Sequence, residues 1–113
     1  MESELAQLQV RIVRYVDDAQ PGWVAIEFAD VGGQIHTVVD KVPIFTSEDI
    51  CAESTYPRVG MLPCTVLKRW RDEDGGDLVR ITIEHPLGDQ STEGQSEFVV
   101  MAGQLAEKKQ RAR

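Results

Sequence analysis

Two histidines, two cysteines and nineteen carboxylates are the residues of this chain that could do chemistry. A structural zinc site needs ligands at short spacing, and His36, Cys51, Cys64 and His85 form no C-x2-4-C or H-x3-5-H pair. A nucleophilic cysteine needs a setting that favours its thiolate. Cys51 instead follows Ser47, Glu48 and Asp49, and Cys64 lies in the apolar stretch from Leu62 to Leu67, where it is expected to pack inward. The acidic turn Asp72-Glu73-Asp74-Gly75-Gly76-Asp77 has a calcium-loop look but the wrong plan. Gly76 stands where the fifth-position ligand belongs, Asp77 replaces the sixth-position glycine, and Ile83 replaces the twelfth-position glutamate. Asp17 and Asp18 sit before Pro21-Gly22 with no apolar pocket to raise a carboxyl pKa, and read as turn formers. No catalytic residue, metal or cofactor is expected.

The remaining candidates are contact residues. Arg69, Trp70 and Arg71, with Lys68, make the one basic and aromatic cluster in the body of the chain. On a strand, residues 68 and 70 face away from 69 and 71, so the cluster divides between two faces. Trp23 alternates against Val24, Ile26 and Phe28, which places it either at a partner surface or over a barrel end. His36 beside Gly32-Gly33 and His85 before Pro86 are expected to serve structural roles at strand ends.

Strand signals recur at Gln9–Val16, Trp23–Asp30, Gln34–Val42, Leu62–Trp70, Asp77–His85 and Gln95–Met101, each rich in Val, Ile, Thr or aromatic residues. Val24, Ile26 and Phe28 alternate with Ala25 and Glu27; Val79, Ile81 and Ile83 alternate with Arg80, Thr82 and Glu84. Those apolar sets, with Phe98, are the expected core. Pro21-Gly22, Gly32-Gly33 and Gly75-Gly76 punctuate the strands with short turns, so consecutive strands are antiparallel neighbours. The fold class is therefore all-β: a six-stranded antiparallel barrel or strongly curled sheet. Thr46-Ser47-Glu48-Asp49 reads as a helix start, predicting one short helical turn near Ser47–Ala52. Ser3–Leu8 and Leu105–Arg113 read as helical or frayed termini, and the outer edge of Gln34–Val42 as a place to add a strand.

At 113 residues and 42% hydrophobic content, one domain is the expectation: a barrel over residues 1–106 and a basic tail over 107–113. The tail sets Glu107 against Lys108, Lys109, Arg111 and Arg113, a net of +3 that leaves -10 on the body of a chain whose total is -7. An acidic body repels phosphate backbones and suits a basic protein partner better than RNA. No apolar run reaches the ~18 residues of a membrane span, and Met1-Glu2-Ser3-Glu4 lacks the plan of a secretion signal. A cytoplasmic location and two free thiols are expected.

In order along the chain stand Gly33-x-x-His36-Thr37, Pro43-x-Phe45, Tyr56-Pro57, a late strand ending in Pro86, and Gly94-x-x-x-Phe98. The series resembles the third-domain β-barrel of the elongation factor Tu family across residues 30–101. The resemblance implies a barrel. The chain has no Gly-x-x-x-x-Gly-Lys-Ser/Thr phosphate loop, and Val99–Gly103 stands where that family closes on the Arg-Glu-Gly-Gly-Arg-Thr run that helps it bind aminoacyl-tRNA. The functional expectation is a non-catalytic protein-interaction module, of a bacterial immunity or regulatory type. The alternative is an RNA- or ribosome-associated barrel using Arg69, Arg71 and the tail.

Overall fold

The computed structural model describes residues 4–106, so the basic tail and the first three residues lie outside it. Six antiparallel strands run in the order β3-β2-β1-β4-β5-β6 and curl into a half-barrel. They are β1 (Glu4–Asp17), β2 (Trp23–Ala29), β3 (Ile35–Lys41), β4 (Arg58–Arg71), β5 (Asp77–Thr82) and β6 (Glu97–Met101).

The curl comes from the two long central strands. β1 pairs with β4 through Glu4–Ile12 and with β2 through Arg11–Asp17, so each half of the strand has its own neighbour. Register shifts fall between Ile12 and Arg14, between Tyr15 and Asp17, and in β4 between Val66 and Lys68. Each extra residue bends its strand and deepens the twist. At the β1–β4 crossing, Gly60 lies against Ile12 and the backbone of Phe45, an approach that leaves no room for a Cβ.

The concave face collects alternate residues from every strand. Leu8, Val10 and Ile12, then Val24, Ile26 and Phe28, then Leu62 and Cys64, and finally Val79, Ile81, Ile83, Phe98 and Val100 are all buried there. All seven predicted core residues belong to this set. Of Ser3–Leu8, expected to be helical or frayed, Ser3 lies outside the described residues and Glu4–Leu8 are strand. Glu4-Leu5-Ala6-Gln7-Leu8 are good helix formers, but pairing with Leu62–Val66 of β4 overrides a local preference worth only tenths of a kcal/mol per residue, ~0.2–0.7.

The helical turn also lies elsewhere than expected. It is α1 (Val42–Phe45), with Pro43 in its first turn and Val42 and Phe45 both buried. Pro43 fixes a helical φ, and two apolar residues three apart supply the face that a turn needs. In Ser47–Ala52 only Ile50 is buried, and the Thr46 hydroxyl accepts the Glu48 N–H in a tight turn. A second short helical turn, of 3-10 type, covers Ala102–Gln104.

Both sheet edges are covered by the chain itself. On β3, the carbonyl of Thr37 accepts the Thr92 N–H at 2.8 Å, and the Lys41 N–H donates to Asp40 Oδ1. On β6, the Val99 carbonyl accepts the Val31 N–H, the Glu97 carbonyl accepts Gln95 Nε2, and the Met101 N–H donates to Gln104 Oε1. Covered groups of this kind blunt an edge, so the expected strand-addition site on Gln34–Val42 is obstructed in this conformation.

Candidate functional site

The contact residues expected from the sequence are placed at opposite ends of the half-barrel. Trp23 opens β2, whereas Arg69, Trp70 and Arg71 close β4. Trp23 is half-buried, with Lys41 Nζ 5.5 Å from its ring centroid. Trp70 is half-buried too, beneath Lys68 Nζ at the same distance. Arg69 is bound through two nitrogens to the Glu4 carboxylate, and Arg71 Nε donates to Asp77 Oδ1 at 3.2 Å. The basic cluster is thus answered by its own neighbours. Glu4 was not foreseen as a partner because it lies 65 residues away in sequence.

A different feature appears once strand direction is known. In an antiparallel sheet, the connections after β1, β3 and β5 leave from one end, and those after β2 and β4 from the other. Backbone hydrogen bonds tie two of the first three together and hold the third to β3: the Val42 N–H donates to the Gly22 carbonyl, and the Thr92 N–H to the Thr37 carbonyl. Residues 17–22 hold Asp17 and Asp18; residues 42–57 hold Glu48, Asp49 and Glu53; residues 83–96 hold Glu84, Asp89 and Glu93. Those eight carboxylates share their segments with no lysine or arginine. Among the described residues only Glu48 has a cationic partner, Arg58 at 2.6 Å. The side chains of Asp18, Asp49, Glu53, Glu84 and Glu93 are exposed, and none makes a hydrogen bond or ion pair among the described residues.

The opposite end is mixed in charge. Asp72 is turned inward, its Oδ1 accepting the N–H groups of Asp74 and Gly76 at 2.9 and 3.0 Å, and Asp77 pairs with Arg71. Lys68, Arg69 and Arg71 stand beside them. The first end thus carries the larger excess of carboxylates, eight with Lys41 and Arg58 at its strand ends, and the second a smaller one, Asp30, Asp72, Glu73, Asp74 and Asp77 against Lys68, Arg69 and Arg71.

Two acidic side chains are held in special environments. Asp30, in the β2–β3 turn, accepts the N–H groups of Gly32 and Gln34 on Oδ1 and contacts His36 Nε2 at 2.8 Å through Oδ2. The His36 bond, ahead of the backbone N–H groups, holds its carboxyl below the usual range. The imidazole is buried between Phe28 and Phe98, its Nδ1 without a partner. Nε2 then carries the proton and donates to Asp30, leaving only a lone pair uncompensated in the aromatic pocket. Asp89 lies within hydrogen-bonding reach of Asp40. Burial first, and then Asp40, push its carboxyl up to about 7.

A groove of about 710 Å³ runs between the start of β1 and the segment after β6. Its lining is mainly apolar, including Leu5, Ala6, Pro63, Pro86 and Leu105, with Cys64 at the base. Burial pushes that thiol up to about 11, so it is protonated at neutral pH and makes a poor nucleophile. The other chemistry-bearing residues lie apart: His85 meets Thr65 through Nδ1 and its carbonyl, and Cys51 lies beside Ser54. Both cysteines are free.

The carboxylates of the acidic end are countable in the sequence, but their shared placement is not. Each connection alone looks like a solvated turn, and only the alternation of strand direction assembles them. No family model, curated protein or solved structure matches the chain.

Proposed function

We propose that this chain is a non-catalytic protein-interaction module that receives a basic protein surface on the end formed by residues 17–22, 42–57 and 83–96. The observation that carries this reading is the concentration of eight carboxylates there without a lysine or arginine. Five of them are exposed and carry no internal bond, so they are available to an outside partner. Such a field steers encounter with a cationic surface and weakens with salt. Trp23, at the first residue of β2, adds an aromatic group at the same end.

RNA association is the weaker reading. Two of the cations it would use, Arg69 and Arg71, are already paired to Glu4 and Asp77, and the basic tail lies outside the described residues. The likeness to the third-domain barrel of elongation factor Tu is proposed at the level of fold alone; six antiparallel strands in a curled sheet are what it requires.

The test is a pull-down from lysate at low salt, comparing the folded chain with a variant carrying Asp18→Asn, Asp49→Asn, Glu53→Gln, Glu84→Gln and Glu93→Gln. The reading expects basic proteins on the first and their loss from the second. Recovery of RNA instead, or equal recovery on both, overturns it.

A further inference from the structure

The 83–96 connection does more than join two strands. Its first part is compact: the Gly88 N–H donates to the Glu84 carbonyl at 2.7 Å, and the Asp89 N–H to the Ile83 carbonyl at 3.1 Å. Its second part is organised by the buried Ser91, whose hydroxyl accepts the N–H groups of Glu93 and Gln95. Between them, Asp89 and Thr92 face β3. The Thr92 N–H takes the outward carbonyl of Thr37, and the Asp89 side chain meets that of Asp40.

The carboxyl contact makes chemical sense in one protonation state. Asp89 Oδ2 is buried and has no donor. An ionised carboxylate there would bury unmet acceptors beside a second carboxylate, whereas a protonated one donates to Asp40 and needs no further partner. Asp40 is otherwise engaged through Oδ1, which accepts the Lys41 N–H at 2.7 Å.

We propose that Asp89 and Asp40 form a proton-operated latch: protonated, Asp89 bonds Asp40 and holds the 83–96 connection against β3, and ionised, it repels Asp40 and releases the connection from that edge. Release uncovers the Thr37 carbonyl and the outer edge of β3, the backbone to which an extended strand could pair. The device is internal and stands whether or not a basic partner docks nearby.

Among the described residues, no other titratable group supplies the missing charge. On β3, Lys41 lies over Trp23 and His36 is turned to Asp30. Within the connection, His85 is held at Thr65, while Glu84 and Glu93 are exposed and could only add repulsion. Burial and the neighbouring carboxyl raise the folded-state affinity of Asp89 for its proton. The latch is therefore strongest in acid, weakens as pH rises from about 4 to about 7, and changes little above that.

Amide hydrogen exchange on the whole chain tests the latch. The opening equilibrium read at the Thr92 N–H, corrected for intrinsic exchange, should rise about tenfold between pH 6 and pH 8, while the Val31 N–H bonded to Val99 stays level. Asp89→Asn keeps the shape and donates to Asp40 at every pH, so its Thr92 protection should be flat. Asp40→Asn, which supplies a permanent donor from the other side, should flatten it likewise and serves if the first variant does not fold. A wild-type Thr92 protection independent of pH, a rise shared equally by Val31, or a rise that persists in both variants overturns the proposal.

Discussion

Asp30 and His36 are joined by a 2.8 Å bond across the β2–β3 turn, and the same carboxylate ties the N–H groups of Gly32 and Gln34. One side chain thereby shapes a turn and fixes the orientation of a buried ring. Asp30→Ala removes three bonds and strands a buried imidazole N–H, and should cost about 3 kcal/mol in urea denaturation. Asp30→Asn, which can still accept the two backbone N–H groups, should cost less. Because its bonds hold the Asp30 carboxyl below its ordinary value, its contribution is fully present above about pH 4 and is lost as pH falls through the folded-state value. Acid titration of wild type against Asp30→Asn should show that slope in the first and not the second.

Gly60 and Gly103 make a paired test of packing. A Cβ on Gly60 would stand 2.9 Å from the fully buried Ile12 side chain and 3.3 Å from the Phe45 carbonyl. One on Gly103 meets nothing within 4 Å. Gly60→Ala should destabilise by about 1–3 kcal/mol and Gly103→Ala by less than about 0.5 kcal/mol, read by thermal or chemical denaturation.

The contrast also separates what was legible in sequence from what was not. Alternation in Val24, Ile26 and Phe28 and in Val79, Ile81 and Ile83 identified the core, because a period of two is a local signal that burial enforces. The β1 start was misread since Glu4–Leu8 has helical propensity and its strand state depends on β4, more than fifty residues on. The helical turn was misplaced by reading a hydroxyl cap at Thr46-Ser47 without asking which neighbouring segment had a face to bury; Val42 and Phe45 did. Arg69 and Arg71 were identified as candidates, but their partners Glu4 and Asp77 are set by the sheet. The Asp40–Asp89 contact joins β3 to the β5–β6 connection, and no spacing rule along the chain predicts it.

The two thiols should differ sharply in reactivity. Cys51 is exposed, whereas Cys64 is fully buried and its thiol pushed up to about 11. An alkylating reagent at pH 8 should modify one cysteine per native chain, identified by peptide mapping as Cys51, and both in denaturant. Fast native labelling of Cys64 would mean that the base of the groove opens readily.

Asp89→Asn should stabilise the chain where wild type carries the ionised group. With the carboxyl raised to about 7, the variant should exceed wild type by about 1–3 kcal/mol at pH 8, with the difference shrinking as pH falls towards 4. Denaturation midpoints across that range measure it. A variant less stable than wild type at pH 8 would contradict the raised affinity.

The acidic end itself is tested most directly by mapping amide chemical shifts while a short lysine-rich peptide is added at low salt. The chain carries an internal rival in Asp72–Asp77, a shorter acidic turn at the opposite end where Asp72 is bonded to backbone and Asp77 to Arg71, while Glu73 and Asp74 are exposed. Shifts should concentrate in residues 17–22, 42–57 and 83–96, disappear in the five-site neutral variant and weaken with salt. Shifts centred on 72–77, or unchanged by neutralising the five carboxylates, would contradict a docking role for that end.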